Sequence, residues 1–173
     1  MKTSTFAAIF GLAYLAAGLL GLIPAMLTPP PADAPPTTFT LLYGYLFGLF
    51  PVNLLETLVH IVVGAWGLSA WAGRASSVTF ARGLAVLFGA LAIMGMLPML
   101  NTTFGMMPLH SHDIWLHAVS AVIAGYFGWY HEAEAAERRR LSYDRRQRMQ
   151  PVAKERRFGL ADRREQFGGM SPA

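Results

Sequence analysis

Apolar residues run along this chain in blocks about as long as a bilayer is thick. A hydrocarbon core of about 30 Å takes roughly 17–25 residues of helix. Four segments meet that length: Phe6 to Leu27, Val52 to Ala72, Thr79 to Leu100 and Ile114 to Tyr130. Their internal glycines and prolines suit helices in lipid, where neighbouring helices satisfy freed backbone groups. The pattern predicts an all-α integral membrane four-helix bundle over residues 1–131, followed by a charged tail over 132–173.

Residues 39–50 are also apolar. Joined to the second span they would be too long for one crossing, and Pro51 disfavours helix in the residue before it. The segment reads as interfacial or re-entrant, with Tyr43 and Tyr45 at headgroup level. Lys2 followed by an apolar run invites a signal-peptide reading. The run exceeds the usual h-region of about 7–15 residues and no A-x-A-like site follows, so the first helix is expected to be retained.

Charge fixes the expected orientation. Residues 1–131 hold Lys2, Arg74 and Arg82 against Asp33, Glu56 and Asp113, and the formal net charge of +4 comes from the tail. The connections 28–50 and 101–112 carry no Lys or Arg. With four crossings, all fourteen basic residues lie on one side. The positive-inside rule makes that side the cytoplasm, so both termini are expected there. The membrane implied is a bacterial inner membrane or another energised internal membrane. The chain has no cysteine, which excludes disulfides and thiolate metal sites.

The polar positions repeat. Phe47-Gly48-Leu49-Phe50-Pro51 aligns with Phe104-Gly105-Met106-Met107-Pro108. At the same offset Asn53 falls on His110, Glu56 on Asp113 and His60 on His117. The first and third spans align as well: Phe6-Ala7 with Phe80-Ala81, Gly21 with Gly95, Pro24 with Pro98. Two tandem hairpins follow, both entering from the same side, as in parallel-repeat membrane proteins. Small residues, among them Gly11, Gly18, Gly64, Gly67 and Gly89, are expected at the helix contacts.

Asn53, Glu56 and His60 share one helical face, and His110, Asp113 and His117 repeat the spacing. Within each set the carboxylate and the deeper histidine are i, i+4 neighbours able to hydrogen-bond. Ionisable residues in a membrane cost about 2.5–3.5 kcal/mol each at a helix centre and face the bundle interior by default. Four readings stay open. In the structural one, Asn53 and Glu56 form a capping box, Asp113 suits the helix dipole and the histidines tie the hairpins together. In the second, Glu56, His60, Asp113 and His117 ligate zinc, iron or manganese. In the third, His60 and His117 hold a haem. In the fourth, the carboxylate–histidine pairs relay protons or ions, although no second cluster continues to the cytoplasmic side. The methionines 94, 96, 99, 106 and 107 form an outer patch that could bind Cu(I), or serve as apolar filler.

Gly48-Leu49-Phe50-Pro51-Val52-Asn53, then His60, then Asp113-Ile114-Trp115-Leu116-His117, resemble a family of small bacterial four-helix membrane proteins known as domain of unknown function 4383. The resemblance covers roughly residues 5–130. It implies the fold and the membrane location and brings no activity. The family often carries histidine where this chain has Glu56, so a role that needs histidine there is not carried over.

The tail reads as a juxtamembrane helix over 131–149, ended by Pro151, with i, i+4 pairs Glu134–Arg138 and Asp144–Arg148. Arg138, Arg139, Arg140, Arg145 and Arg146 are its candidates for anionic lipid or a membrane or cytoplasmic protein partner. No aromatic-basic platform for nucleic acid is present. With no nucleophile–base motif, phosphate loop or nucleotide fingerprint, the sequence points to a non-enzymatic membrane protein, without a required cofactor, acting through partners or lipids. The alternatives are a metal- or haem-binding protein and a proton or ion handler.

Overall fold

The computed structural model describes residues 1–133 and 135–146. Residues 1–130 are mostly helical, with four α-helices: α1 (Thr3–Gly21), α2 (Leu54–Trp71), α3 (Ser77–Met96) and α4 (His112–Gly125). The first three are long and apolar enough to cross a membrane. Their outward positions are greasy. Ile9 and Leu12 on α1, Val62 on α2, and Val86 and Ile93 on α3 are all exposed. So large an apolar surface belongs in lipid, not water.

Local sequence sets the helix ends. Asn53 caps α2, its Oδ1 accepting from the Glu56 N–H at 3.1 Å. Ser76 caps α3 through the Thr79 N–H at 3.2 Å. Between them Gly73, at φ +75, makes the left-handed turn that closes α2. α1 stops at Gly21, short of the expected Leu27, because a 3-10 turn over Pro24–Met26 follows. α3 likewise ends at Met96, just before Pro98. α4 begins at His112 and gives way to a π-helical turn over Tyr126–Tyr130.

The expectation of an all-α chain needs one correction. The connection between α1 and α2 forms a small antiparallel sheet of β1 (Leu27–Thr28), β2 (Gly44–Leu46) and β3 (Phe50–Val52), in that order. These strands of two or three residues hold part of the 39–50 segment as a folded cap. The segment is tied to the connection between α3 and α4, since Thr38 and Phe39 donate backbone hydrogen bonds to the Gly105 carbonyl at 2.8 and 3.1 Å.

α1 packs against α2 and α3 against α4. The α1–α2 seam is built on glycine. A Cβ on Gly11 would meet the Leu68 backbone nitrogen at 2.7 Å, and one on Gly18 the Ile61 backbone nitrogen at 2.8 Å. Gly64 and Gly67 answer them from α2. Gly89 does not share this role: its nearest neighbour would be the Ala121 Cβ at 3.9 Å. α1 and α3 bury matching positions: Phe6 and Phe80, Ala7 and Ala81, Tyr14 and Phe88, Gly18 and Ala92, Gly21 and Gly95. The loops before α2 and α4 match too, with positive φ at Phe47-Gly48 and at Phe104-Gly105 and full burial of Pro51 and Pro108.

Beyond residue 132, a unit separate from residues 1–132 is helical at 133 and 135–146. Arg138, Arg139, Arg140, Arg145 and Arg146 are exposed on that helix. The expected partners Glu134 and Arg148, and Pro151, lie outside the described residues.

Candidate functional site

Where α2 and α4 leave the loops that precede them, their polar residues turn inward. Glu56 and His60 on α2, and Asp113 and His117 on α4, are all buried. One ligand atom each from Glu56, His60 and His117 lies within 4.8 Å of the others. The Asp113 carboxyl faces that of Glu56 closely enough for the two charges to interact. Among the described residues, neither Glu56 oxygen, nor His60 Nδ1, nor Asp113 Oδ2 has a hydrogen-bond partner. The expected Glu56–His60 hydrogen bond is therefore not made. Buried carboxyls facing each other with no donor are costly unless a cation or a shared proton sits between them.

The sequence placed two further residues in this cluster, and the structure places them elsewhere. Asn53 is fully buried, but its side chain works on the backbone. Besides capping α2, its Nδ2 donates to the Phe39 carbonyl at 3.1 Å and the Met106 carbonyl at 2.6 Å. It thus joins both outer loops to the helix turn that carries Glu56. The capping box is half formed, because Glu56 does not reach back. His110 packs beside Tyr45, whose hydroxyl is 3.5 Å from His110 Nδ1. Burial lowers the His110 pKa from its ordinary value. Burial likewise pushes the Tyr45 phenol up to about 12.

Two residues that the sequence did not single out line the side of the cluster away from the long loops. The Tyr14 hydroxyl lies 3.0 Å from Ser120 Oγ. The Tyr14 ring packs on His60 at 5.4 Å between centroids, and Phe88 packs on His117 at 5.1 Å. Ser120 continues the buried rhythm of Asp113 and His117 along α4, which was the available signal. Tyr14 gave less, being one aromatic in an apolar run.

The profile of the family described as Domain of unknown function (DUF4383) matches residues 4–130. The chain belongs to this family. The DUF4383 match takes in all four helices and every residue of the centre, and ends before the charged tail. Neither a curated protein nor a solved structure matches the chain.

Within this DUF4383 protein the centre has the donor set of a metal site: two imidazoles, a carboxylate beside them and a second carboxylate facing the first. Zinc takes His nitrogen at about 2.0–2.1 Å and carboxylate oxygen at about 2.0–2.2 Å. The edge of such a tetrahedron is roughly 3.4 Å, so the 4.8 Å span closes onto an ion with a small inward movement. Porphyrin fits less well. A haem ligated from both sides needs a wide slot between its axial histidines, and here the Glu56 carboxyl sits beside both of them. Of the methionines, Met96, Met99 and Met106 are exposed. Below Tyr14 and Ser120 the core is Phe6, Phe80, Leu84 and Phe127 with small alanines, an apolar layer that offers a proton no relay.

Proposed function

We propose that this protein is a non-enzymatic, membrane-embedded metal-ion-binding protein. One observation carries the reading: three ligand atoms from Glu56, His60 and His117 converge within 4.8 Å in a buried setting, and the Glu56 oxygens and His60 Nδ1 have no partner among the described residues. Native interiors satisfy nearly all buried polar groups. A metal cation satisfies these together and offsets the charge of the facing carboxyls.

The architecture proposed around the site is a four-helix bundle of two repeated hairpins. The shared burial of α1 and α3 and the shared left-handed turns at Phe47-Gly48 and Phe104-Gly105 support the duplication. α4 and the π-helical turn after it together run from His112 to Tyr130, enough to make the fourth crossing at about 1.5 Å per residue. In a bacterial inner membrane both ends then face the cytoplasm, with the centre toward the outer leaflet. The chain has no cysteine, so single cysteines at Ala34, Ala75 and Asn101 report the sides directly. Labelling of Ala34 and Asn101 from outside, and of Ala75 only after permeabilisation, is the expected result; labelling of Ala75 from outside removes this topology. The tail, with Arg138, Arg139, Arg140, Arg145 and Arg146, is the proposed contact for anionic lipid or a cytoplasmic protein.

The direct test is metal analysis of the purified protein beside a His60→Ala/His117→Ala variant that still folds. Near-stoichiometric metal in the parent and its loss in the variant is the expected result. A well-folded parent that neither retains nor takes up a transition metal would leave the centre as a polar tie between hairpins.

A further inference from the structure

Resting on the metal-binding reading, the geometry points to Asp113 as a fourth ligand, delivered by the first turn of α4 to a single divalent cation of the zinc class.

Glu56, His60 and His117 supply three donors. A closed zinc site takes four, whereas an open one keeps water in the fourth place. Asp113 stands next to the gap. It is buried, it faces Glu56, and its Oδ2 has no partner among the described residues. It lies outside the set of atoms within 4.8 Å, so it must move to join them.

The two half-sites differ in how firmly they are held. The turn presenting Glu56 is locked: Asn53 caps it and ties it to two loop carbonyls. The turn presenting Asp113 is not. Its cap residue Ser111 makes no side-chain cap hydrogen bond and sits at φ 61, ψ −128. That region favours glycine, so the turn carries backbone strain that a rearrangement of the turn would relieve. The Asp113 N–H reaches the His110 carbonyl at a long 3.4 Å. At the far end of α4 lies the π-helical turn, which interrupts regular α-helical bonding there. The fixed half therefore carries Glu56 and His60, and the adjustable half carries Asp113 and His117.

The donors also select the ion. Two imidazoles and two carboxylates are borderline to hard ligands, suited to zinc and its divalent neighbours rather than to Cu(I). Each hairpin contributes one carboxylate and one imidazole, so the ion bridges the α2 and α4 turns.

The test uses the full chain purified in detergent, stripped of metal and titrated with Zn²⁺ and with Co²⁺ as the spectroscopic probe. The parent should bind both, with the intense visible Co²⁺ absorption of a four-coordinate site. Asp113→Asn should bind at least about tenfold more weakly, the loss typical when a carboxylate supporting a metal site is removed, and its Co²⁺ absorption should fall. An Asp113→Asn protein with parental affinity and spectrum, beside a His60→Ala/His117→Ala protein that binds nothing, overturns the role of Asp113 and leaves the metal reading intact. A parent that binds neither ion overturns both. Hydrogen exchange on the unmutated chain serves if the variant does not fold. Zinc should protect residues 111–117 more than residues 54–60, and equal or absent protection at 111–117 overturns the inference.

Discussion

The Tyr14 hydroxyl and Ser120 Oγ meet at 3.0 Å beside the two histidines, and this bond joins α1 to α4. At the positions 74 residues after Tyr14 and 57 residues before Ser120 stand Phe88 and Val63, both buried and both apolar. The first pair is hydrogen-bonded, and the second offers only carbon.

Because the apolar pair is already tolerated in this fold, the polar pair should be replaceable by it. Tyr14→Phe leaves the Ser120 hydroxyl without its partner, and Ser120→Val does the same to Tyr14. Each single change should lower stability by about 0.5–1.5 kcal/mol, the ordinary net worth of a hydrogen bond. The Tyr14→Phe/Ser120→Val double variant should lose no more than either single. Unfolding in mixed micelles measures this double-mutant cycle. Additive losses would mean that the two groups do not depend on each other.

That pair also shows what sequence can and cannot carry. Glu56, His60 and His117 were legible because i, i+4 spacing and an internal repeat put them on facing surfaces at one depth. Asn53 was half legible. Its cap follows from the residues after it, but its bonds to the Phe39 and Met106 carbonyls depend on how two distant loops fold. His110 stands in the loop before α4, where the Ser111 backbone at φ 61 turns the chain between it and Asp113. The sheet was missed because strands of two or three residues show no alternation to read.

The α1–α2 seam gives a prediction with an internal control. A Cβ at Gly64 would fall on the Leu15 backbone, whereas one at Gly89 would meet only the Ala121 Cβ at 3.9 Å. Gly64→Ala should therefore cost about 1–3 kcal/mol through overpacking. Gly89→Ala should be neutral or slightly stabilising, since alanine favours helix over glycine by up to about 1 kcal/mol. Thermal unfolding of the two variants side by side decides it. Equal effects would show that the close backbone approach is not what the glycine provides.

His110 makes the outer loops sensitive to acid. Burial depresses its folded pKa below the ordinary 6.5, so near and below that value the unfolded loops bind more protons than the folded ones. Stability that is present above about pH 6.5 is then lost as the pH falls. His110→Gln should flatten the decline in melting temperature between about pH 7 and pH 5. Superimposable pH profiles for parent and variant would remove His110 as the cause.

The centre itself is tested most directly by X-ray absorption at the zinc edge of the zinc-loaded protein. The account predicts a first shell of nitrogen and oxygen only, with the outer-shell scattering of two imidazoles, and loss of one imidazole in His117→Ala. A shell containing sulfur, or one of oxygens without imidazole, would contradict it.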